Sequence, residues 1–199
     1  LEPVEIGGVV VKQATLHNFD FIAEKDIRVG DRVEVKRAGD VIPYILGPVK
    51  AARTGNEVSY TPPEQCPSCG EELERLEGEV ALYCVNAACP SQLVRNIEHF
   101  ASRGAMDIEG LGIRIAVQLV ENNLVTDAAD LYELDMGKLL KLEGFGEKKA
   151  SNLLQAVAAT RQQPLGRLIN ALGIRGIGEV TAGDLARNFK SLDRLQEAG

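Results

Sequence analysis

At 199 residues, with 45% hydrophobic and 26% charged side chains, the chain has the make-up of an ordinary soluble globular protein. That length holds one or two domains or several small modules. A formal net charge of −7 argues superficially against a nucleic-acid partner, and no apolar run approaches the length of a membrane span. The first residues, LEPVEIGGVVVKQ, lack the basic start and cleavage site of a signal peptide, so a cytosolic location is the default expectation.

The first sixty residues read as β-structure. VEIGGVVVKQATL and DRVEVKRAGDVIPYILGPV are rich in Val and Ile, with Gly30-Asp31 and Gly39-Asp40 as turn signals. Val33 and Val35 alternate with charged neighbours, as a half-buried strand requires. A small β-barrel accounts for this pattern, and the OB-fold is one such barrel that binds nucleic acid across its strand face. Lys36 and Arg37 stand just before the Ala38-Gly39-Asp40 turn, placed either to touch phosphate or to remain solvated. His17, with no Cys or carboxylate cluster around it in sequence, reads as a structural residue.

All four cysteines fall in one short stretch, CPSCGEELERLEGEVALYCVNAACP, with the spacing Cys66-x-x-Cys69 and Cys84-x-x-x-x-Cys89. Two close pairs joined by a short hairpin fit a tetrahedral Cys₄ zinc site, with Gly70 permitting a tight turn over the metal. A disulfide has little use in a cytosolic chain, and a redox Cys-x-x-Cys expects a βαβ setting that is missing here. Four thiolates fill the coordination shell, so the zinc is expected to be structural. The surrounding residues offer few large apolar side chains (Leu73, Leu76, Leu82, Tyr83), and metal binding would supply the missing folding energy.

The remainder is helical and repetitive. His99 falls on a predicted helix and reads as a packing or capping residue. Residues 108–121 read IEGLGIRIAVQLVE, residues 142–155 LEGFGEKKASNLLQ, and residues 174–187 IRGIGEVTAGDLAR. All three follow apolar-x-Gly-apolar-Gly-x-x-x-Ala-x-x-Leu, with Ala116, Ala150 and Ala182 and with Leu119, Leu153 and Leu185 in register. The copies start 34 and 32 residues apart. A tetratricopeptide repeat has a similar period, but its Trp-x-x-Leu-Gly signature is missing. The pattern is that of a helix-hairpin-helix. The glycine pair makes a turn of little bulk, the apolar residue between the glycines plugs the helix crossing, and the next helix presents its first amides to an anion. A purely structural helical array is the alternative. The charge distribution leans toward the first reading: residues 161–194 carry six bases against three acids, whereas residues 64–79 carry six acids and only Arg75. Backbone amides also bind phosphate without adding formal charge.

The modules in this order resemble the C-terminal half of a bacterial NAD⁺-dependent DNA ligase. The most specific pieces are GDRVEVKRAGDVIP (residues 30–43), the Cys₄ spacing, SRGAMDIEGLG (102–112) and ALGIRGIGE (171–179). The resemblance implies a multi-domain α+β protein: an OB-type barrel over residues 1–60, a Cys₄ zinc finger over 61–92, and an all-α helix-hairpin-helix region over 93–199. It implies that Arg37, Val41 and Ile42 lie in the minor groove beside a nick. Cys66, Cys69, Cys84 and Cys89 would hold Zn²⁺, and Gly110, Gly112, Gly144, Gly146, Gly176 and Gly178 would grip the duplex. The family seals nicks in three steps. A lysine takes AMP from NAD⁺, AMP passes to the 5′-phosphate, and the 3′-hydroxyl displaces it with Mg²⁺ assisting.

Three departures are expected to matter. The family's lysine sits in a Lys-x-Asp-Gly motif within an adenylation domain, and no such motif occurs in this sequence. The barrel lacks its first strand, and the family's fourth hairpin and BRCT domain have no counterpart. The chain therefore resembles a fragment that holds no catalytic residue of its own. Its partners would be nicked duplex DNA and the adenylation domain of the same parent chain. A monomer in the bacterial cytosol, associated with the nucleoid, is expected. A stand-alone DNA clamp and a repair-nuclease subunit are the alternatives, the latter needing a carboxylate cluster that the spacing does not offer.

Overall fold

The computed structural model describes residues 1–38, 42–86 and 88–198, apart from the side chains of Arg37 and Ala38. It forms two compact units, Leu1–Asn86 and Ala87–Gly199.

The first unit is β-rich. β1 (Val4–Ile6) and β2 (Val9–Val11) pair as a hairpin, turned at Gly7 and Gly8, whose φ values of 61° and 78° suit a two-residue turn. α1 (Phe19–Lys25) starts where the Asn18 side chain accepts from the Phe21 amide and stops where Asp26 turns left-handed. β3 (Arg28–Val29) pairs with β6 (Val58–Ser59), and β4 (Val33–Ala38) with β5 (Ile42–Pro48), the latter pair irregular at Glu34/Val35. Val33 and Val35 are half-buried between exposed Glu34 and Lys36, as their alternation requires. A bridge from Thr15 to Tyr44 ties the loop after β2 to β5. β7 (Leu73–Arg75) and β8 (Leu82–Cys84) close the unit as a separate hairpin. Among the described residues the strands pair two by two.

Apolar burial in this unit is thin: among its described residues Val11, Ile27 and Ile45 are the buried aliphatics. An ionic knot compensates. Arg53 is bidentate on Asp31 (Nε to Oδ1 2.7 Å, Nη2 to Oδ2 2.9 Å) and also donates to Asp26 Oδ2 at 2.7 Å and to the Asp26 carbonyl. Asp31, whose side chain is only 1% exposed, further accepts the Arg28 amide at 2.7 Å. The knot therefore joins the end of α1, the turn into β4 and the segment after β5. Hydrogen bonds from Arg28 and then Arg53 hold the Asp26 carboxyl well below the ordinary range, and a hydrogen bond from Arg53 also lowers the pKa of Asp31.

The second unit is all-helical. α2 (Pro90–Ala101) begins with proline in its first turn. α3 (Ile113–Glu121), α4 (Met136–Leu139) and α5 (Glu147–Ala159) follow, then α6 (Leu165–Ala171), α7 (Glu179–Phe189) and α8 (Leu192–Gln196). A continuous core runs from Ile97 and Phe100 through Ile108, Leu119, Leu131 and Leu142 to Val157 and Ala171. The amphipathic faces are those of the repeat: Leu119 and Leu153 are buried, and Leu154 packs against the core from its edge. α6 and α7 cross closely, because a Cβ on Gly166 would lie 3.4 Å from the Gly183 backbone and 3.5 Å from Ala186 Cβ. His99, read as a packing or capping residue, has Nε2 2.8 Å from the Asn170 carbonyl in the last turn of α6.

The ionic knot makes the first unit acid-sensitive. Its carboxyls have lowered folded-state pKa values, so their contribution is present above about pH 4 and lost as pH falls through the native values. Removing Arg53 strands Asp31 as a buried unpaired charge. Arg53→Ala is expected to lower the melting temperature of the first unit by more than about 10 °C at pH 7. Its acid-dependent loss below about pH 4 should then shrink. Amide hydrogen exchange in β4, followed from neutral to acidic pH, measures both effects.

Candidate nucleic-acid interface and metal centre

The three glycine-bracketed turns adopt one geometry. The first glycine of each pair is left-handed, with φ of 85° at Gly110, 71° at Gly144 and 79° at Gly176, a region in which only glycine is at ease. The apolar residue after it donates its amide back to the apolar residue three before: Leu111 to Ile108 at 3.2 Å, Phe145 to Leu142 at 3.2 Å, Ile177 to Ile174 at 2.9 Å. The second glycine is extended and is the N-cap of the following helix, at Gly112, Gly146 and Gly178. Its carbonyl accepts from the alanine four residues on, at 3.1 Å for Ala116, 3.0 Å for Ala150 and 2.8 Å for Ala182. Each of those alanines is fully buried where the helices cross, and a larger residue there would cost about 1–3 kcal/mol in overpacking.

This geometry leaves amides available. The first amides of a helix have no acceptor within it, and a glycine cap supplies no side-chain acceptor either. A Cβ placed on any of the six glycines would meet nothing within 4 Å, so the space over each turn is open. Gly110 and Gly146 line one cleft of about 810 Å³ together with Phe145, Lys148 and Lys149. Gly144 lines a second cleft of about 520 Å³ that includes Arg114 and Lys149. Lys149 is held in place: its ammonium lies 4.1 Å from the centre of the Phe145 ring and donates to the Gly144 carbonyl at 3.3 Å. The structure therefore brings the first two turns together. Gly176 and Gly178 line neither cleft. The third turn is also the most open, with Ile174 at 43% exposure where Ile108 and Leu142 are buried.

Of the barrel residues, Ile42 is 61% exposed at the start of β5, and Arg37 pairs through its backbone with Pro43. Val41 lies outside the described residues, as does the Arg37 side chain. His17 is exposed, with its ring edge-on to Phe21 at 4.8 Å and its amide bonded to Thr15 Oγ1.

The four cysteines meet because the hairpin between their pairs folds back on itself. The Cys66 amide donates to the Glu71 carbonyl at 2.7 Å, and the Gly70 amide returns to the Cys66 carbonyl at 2.8 Å, with Gly70 left-handed. Cys84 sits opposite Leu73 in the β7–β8 ladder, and Cys89 caps α2. All four sulfurs lie within 4.8 Å of one another, and Cys69 and Cys84 are 3.5 Å apart. A tetrahedral ZnS₄ centre has sulfur–sulfur edges of about 3.8 Å. Backbone N–H groups of Ser68 and Cys69 aim at the Cys66 sulfur and lower its pKa, favouring the thiolate a metal needs.

Comparison with known proteins matches the modules that contain these residues. Residues 1–57 match the family described as the NAD-dependent DNA ligase OB-fold domain, and residues 65–90 match the NAD-dependent DNA ligase C4 zinc finger domain. Residues 103–159 match a SAM-like helix-hairpin-helix tandem and residues 167–199 a helix-hairpin-helix motif. A DNA ligase of Herpetosiphon aurantiacus is 52% identical over 198 residues, and one of Chloroflexus aggregans 55% identical over 199. A DNA ligase of Bacillus cytotoxicus is 51% identical over 199 residues. These alignments cover all of this chain but 29%, 29% and 30% of the relatives, so the chain spans under a third of their length. The four-thiolate donor set closes the shell of a structural Zn²⁺ and leaves no position for catalysis.

Purified without added metal, the protein is expected to carry one zinc per chain by elemental analysis. Cys84→Ser should abolish stoichiometric zinc and melt the β7–β8 hairpin, while the helical signal persists because its core is separate. Full zinc occupancy in that variant would contradict the assignment.

Proposed function

We propose that the chain, whose modules match those of NAD-dependent DNA ligases, is the duplex-gripping region of an enzyme that seals single-strand nicks in DNA. The observation that carries this reading is the identical geometry of three turns, each ending in an uncapped helix start under open space. Amides arranged in this way bind phosphate oxygens, whatever the base sequence. The amides after Gly112, Gly146 and Gly178 are the donors, the left-handed Gly110, Gly144 and Gly176 remove bulk from the approach, and Arg114, Lys148 and Lys149 add local positive charge. Arg37, Val41 and Ile42 of the barrel meet the minor groove beside the nick. The module limits follow the same scheme, a barrel to residue 60, a zinc finger to 92 and hairpins beyond.

NAD⁺ and Mg²⁺ supply the adenylyl group and the charge neutralisation in the parent reaction. This chain contributes position. A nick whose two ends are held in line avoids the roughly 10²-fold loss that about 1 Å of misplacement can cause. No lysine here is followed by x-Asp-Gly, and covalent adenylation needs an activated amine in a nucleotide pocket. The nucleophile therefore belongs to the adenylation domain of the parent. The protein works as a monomer on nicked duplex in the cytoplasm. No described helix is long and apolar enough to cross a membrane.

Two measurements test this reading. If about six phosphates are neutralised, duplex affinity falls roughly 10³-fold between about 50 and 200 mM salt. Gly146→Val keeps the fold, since φ there is −103° and a Cβ meets nothing, yet it stands in the path of the phosphate. It should weaken binding at least roughly tenfold on every sequence alike. A flat salt dependence, or a loss confined to one base sequence, would refute the amide grip. Incubated alone with radiolabelled NAD⁺, the chain is expected to show no covalently labelled band after denaturing electrophoresis.

A further inference from the structure

Four consecutive backbone carbonyls ahead of the first hairpin are each read by a side chain from the start of the third. Arg167 Nη2 donates to the Arg103 carbonyl at 2.6 Å and Arg167 Nε to the Ala105 carbonyl at 2.6 Å. Between them, Asn170 Nδ2 donates to the Gly104 carbonyl at 3.0 Å, and Gln163 Nε2 reaches the Met106 carbonyl at 3.3 Å. Arg167 and Asn170, three apart within α6, share one face of that helix, and Gln163 reaches the same segment from the extended residues just before it. The bonds span 57 to 66 residues of sequence.

The segment they hold is not a regular element. Residues 102–108 fold back on the end of α2, with the Met106 amide bonded to Phe100 and the Ile108 amide to Ala101. The Ile108 carbonyl then accepts the Leu111 amide within the turn at Gly110. On the other side, α6 packs on α7 through Gly166, Ala182 and Gly183, and α7 begins at the third cap, Gly178. A rigid path thus runs from the first turn through residues 103–106 and Arg167 to the third turn, although the two are separated in sequence by the whole second hairpin.

We propose that Arg167, with Asn170 and Gln163, is a positioning set that fixes the third hairpin against the first, so that both engage one duplex as a single surface. This rests on the reading of the hairpin amides as phosphate grips. Arg is suited to the role because its planar fork reaches two carbonyls at once, which a lysine point charge does not. Arg167 acts through the hairpins, and its partly buried guanidinium is occupied by protein carbonyls.

Arg167→Lys in the intact, zinc-loaded chain is the test, because it keeps the charge and removes the fork. Two readouts are taken on folded protein: hydrogen exchange of the amides of residues 105–108, and the slope of duplex affinity against salt. The expected result is faster exchange together with a slope shallower by about two, as the third hairpin's phosphates drop out of the count. Gln163→Ala, which removes the longest of the four bonds, should move both readouts less and in the same direction; it serves alone if the lysine variant does not fold. Faster exchange with an unchanged slope overturns the proposal and leaves the amide grip standing. A flat slope in the unmodified chain overturns both.

Discussion

The helical unit depends on one backbone constraint, repeated three times. A left-handed glycine reverses the chain, one apolar residue fills the reversal, and a second glycine starts the next helix with its own carbonyl. A side chain at the first glycine would be strained by its positive φ, and a side chain at the buried alanine would push the helices apart. Both requirements serve packing. The uncapped amides are what this packing leaves over at the surface, so the same residues that bring the helices together also create the proposed anion site. On the proposed reading, that coincidence lets a chain of net charge −7 hold a polyanion.

The β-rich unit solves a different problem. It has little apolar surface to bury, so its segments are joined by a buried Arg–Asp knot and, near its end, by metal-ligating cysteines. Such devices tolerate small size but are conditional. The knot requires ionised carboxylates, and the cysteines require a metal. The helical unit has a continuous aliphatic core and needs neither. A single chain thus carries parts with distinct sensitivities to acid and to chelation.

Much of this was legible in the sequence, and the reason is locality. The hairpin turns repeat a pattern of about a dozen residues, and their Gly, apolar and Ala positions each have one stereochemical job. The cysteines announce themselves through spacing, and Val33 and Val35 through alternation. Helix α1 carried a readable signal in Asn18 followed by an apolar run, yet its seven residues are too few to stand out from β-rich surroundings. The Asp26–Asp31–Arg53 knot and the Arg167 contacts had no signal at all. Each joins a side chain to a partner at least 22 residues away, and in the Arg167 case the partner is a backbone carbonyl, which every residue possesses.

That contrast bears on how the hairpins can cooperate. Local pattern makes each turn competent alone, but an isolated anion site of this kind contributes little at ordinary salt. Useful affinity for a duplex requires several such sites at a fixed separation, because each one pre-placed saves the entropy of placing it anew. The separation between adjacent turns follows from the shared clefts of the first two. Between the first and third it depends on contacts outside the repeat, among them the four carbonyls held by residues 163–170. Under the proposed reading the repeat specifies the gripping unit, while non-repeated side chains specify the spacing at which the units act together.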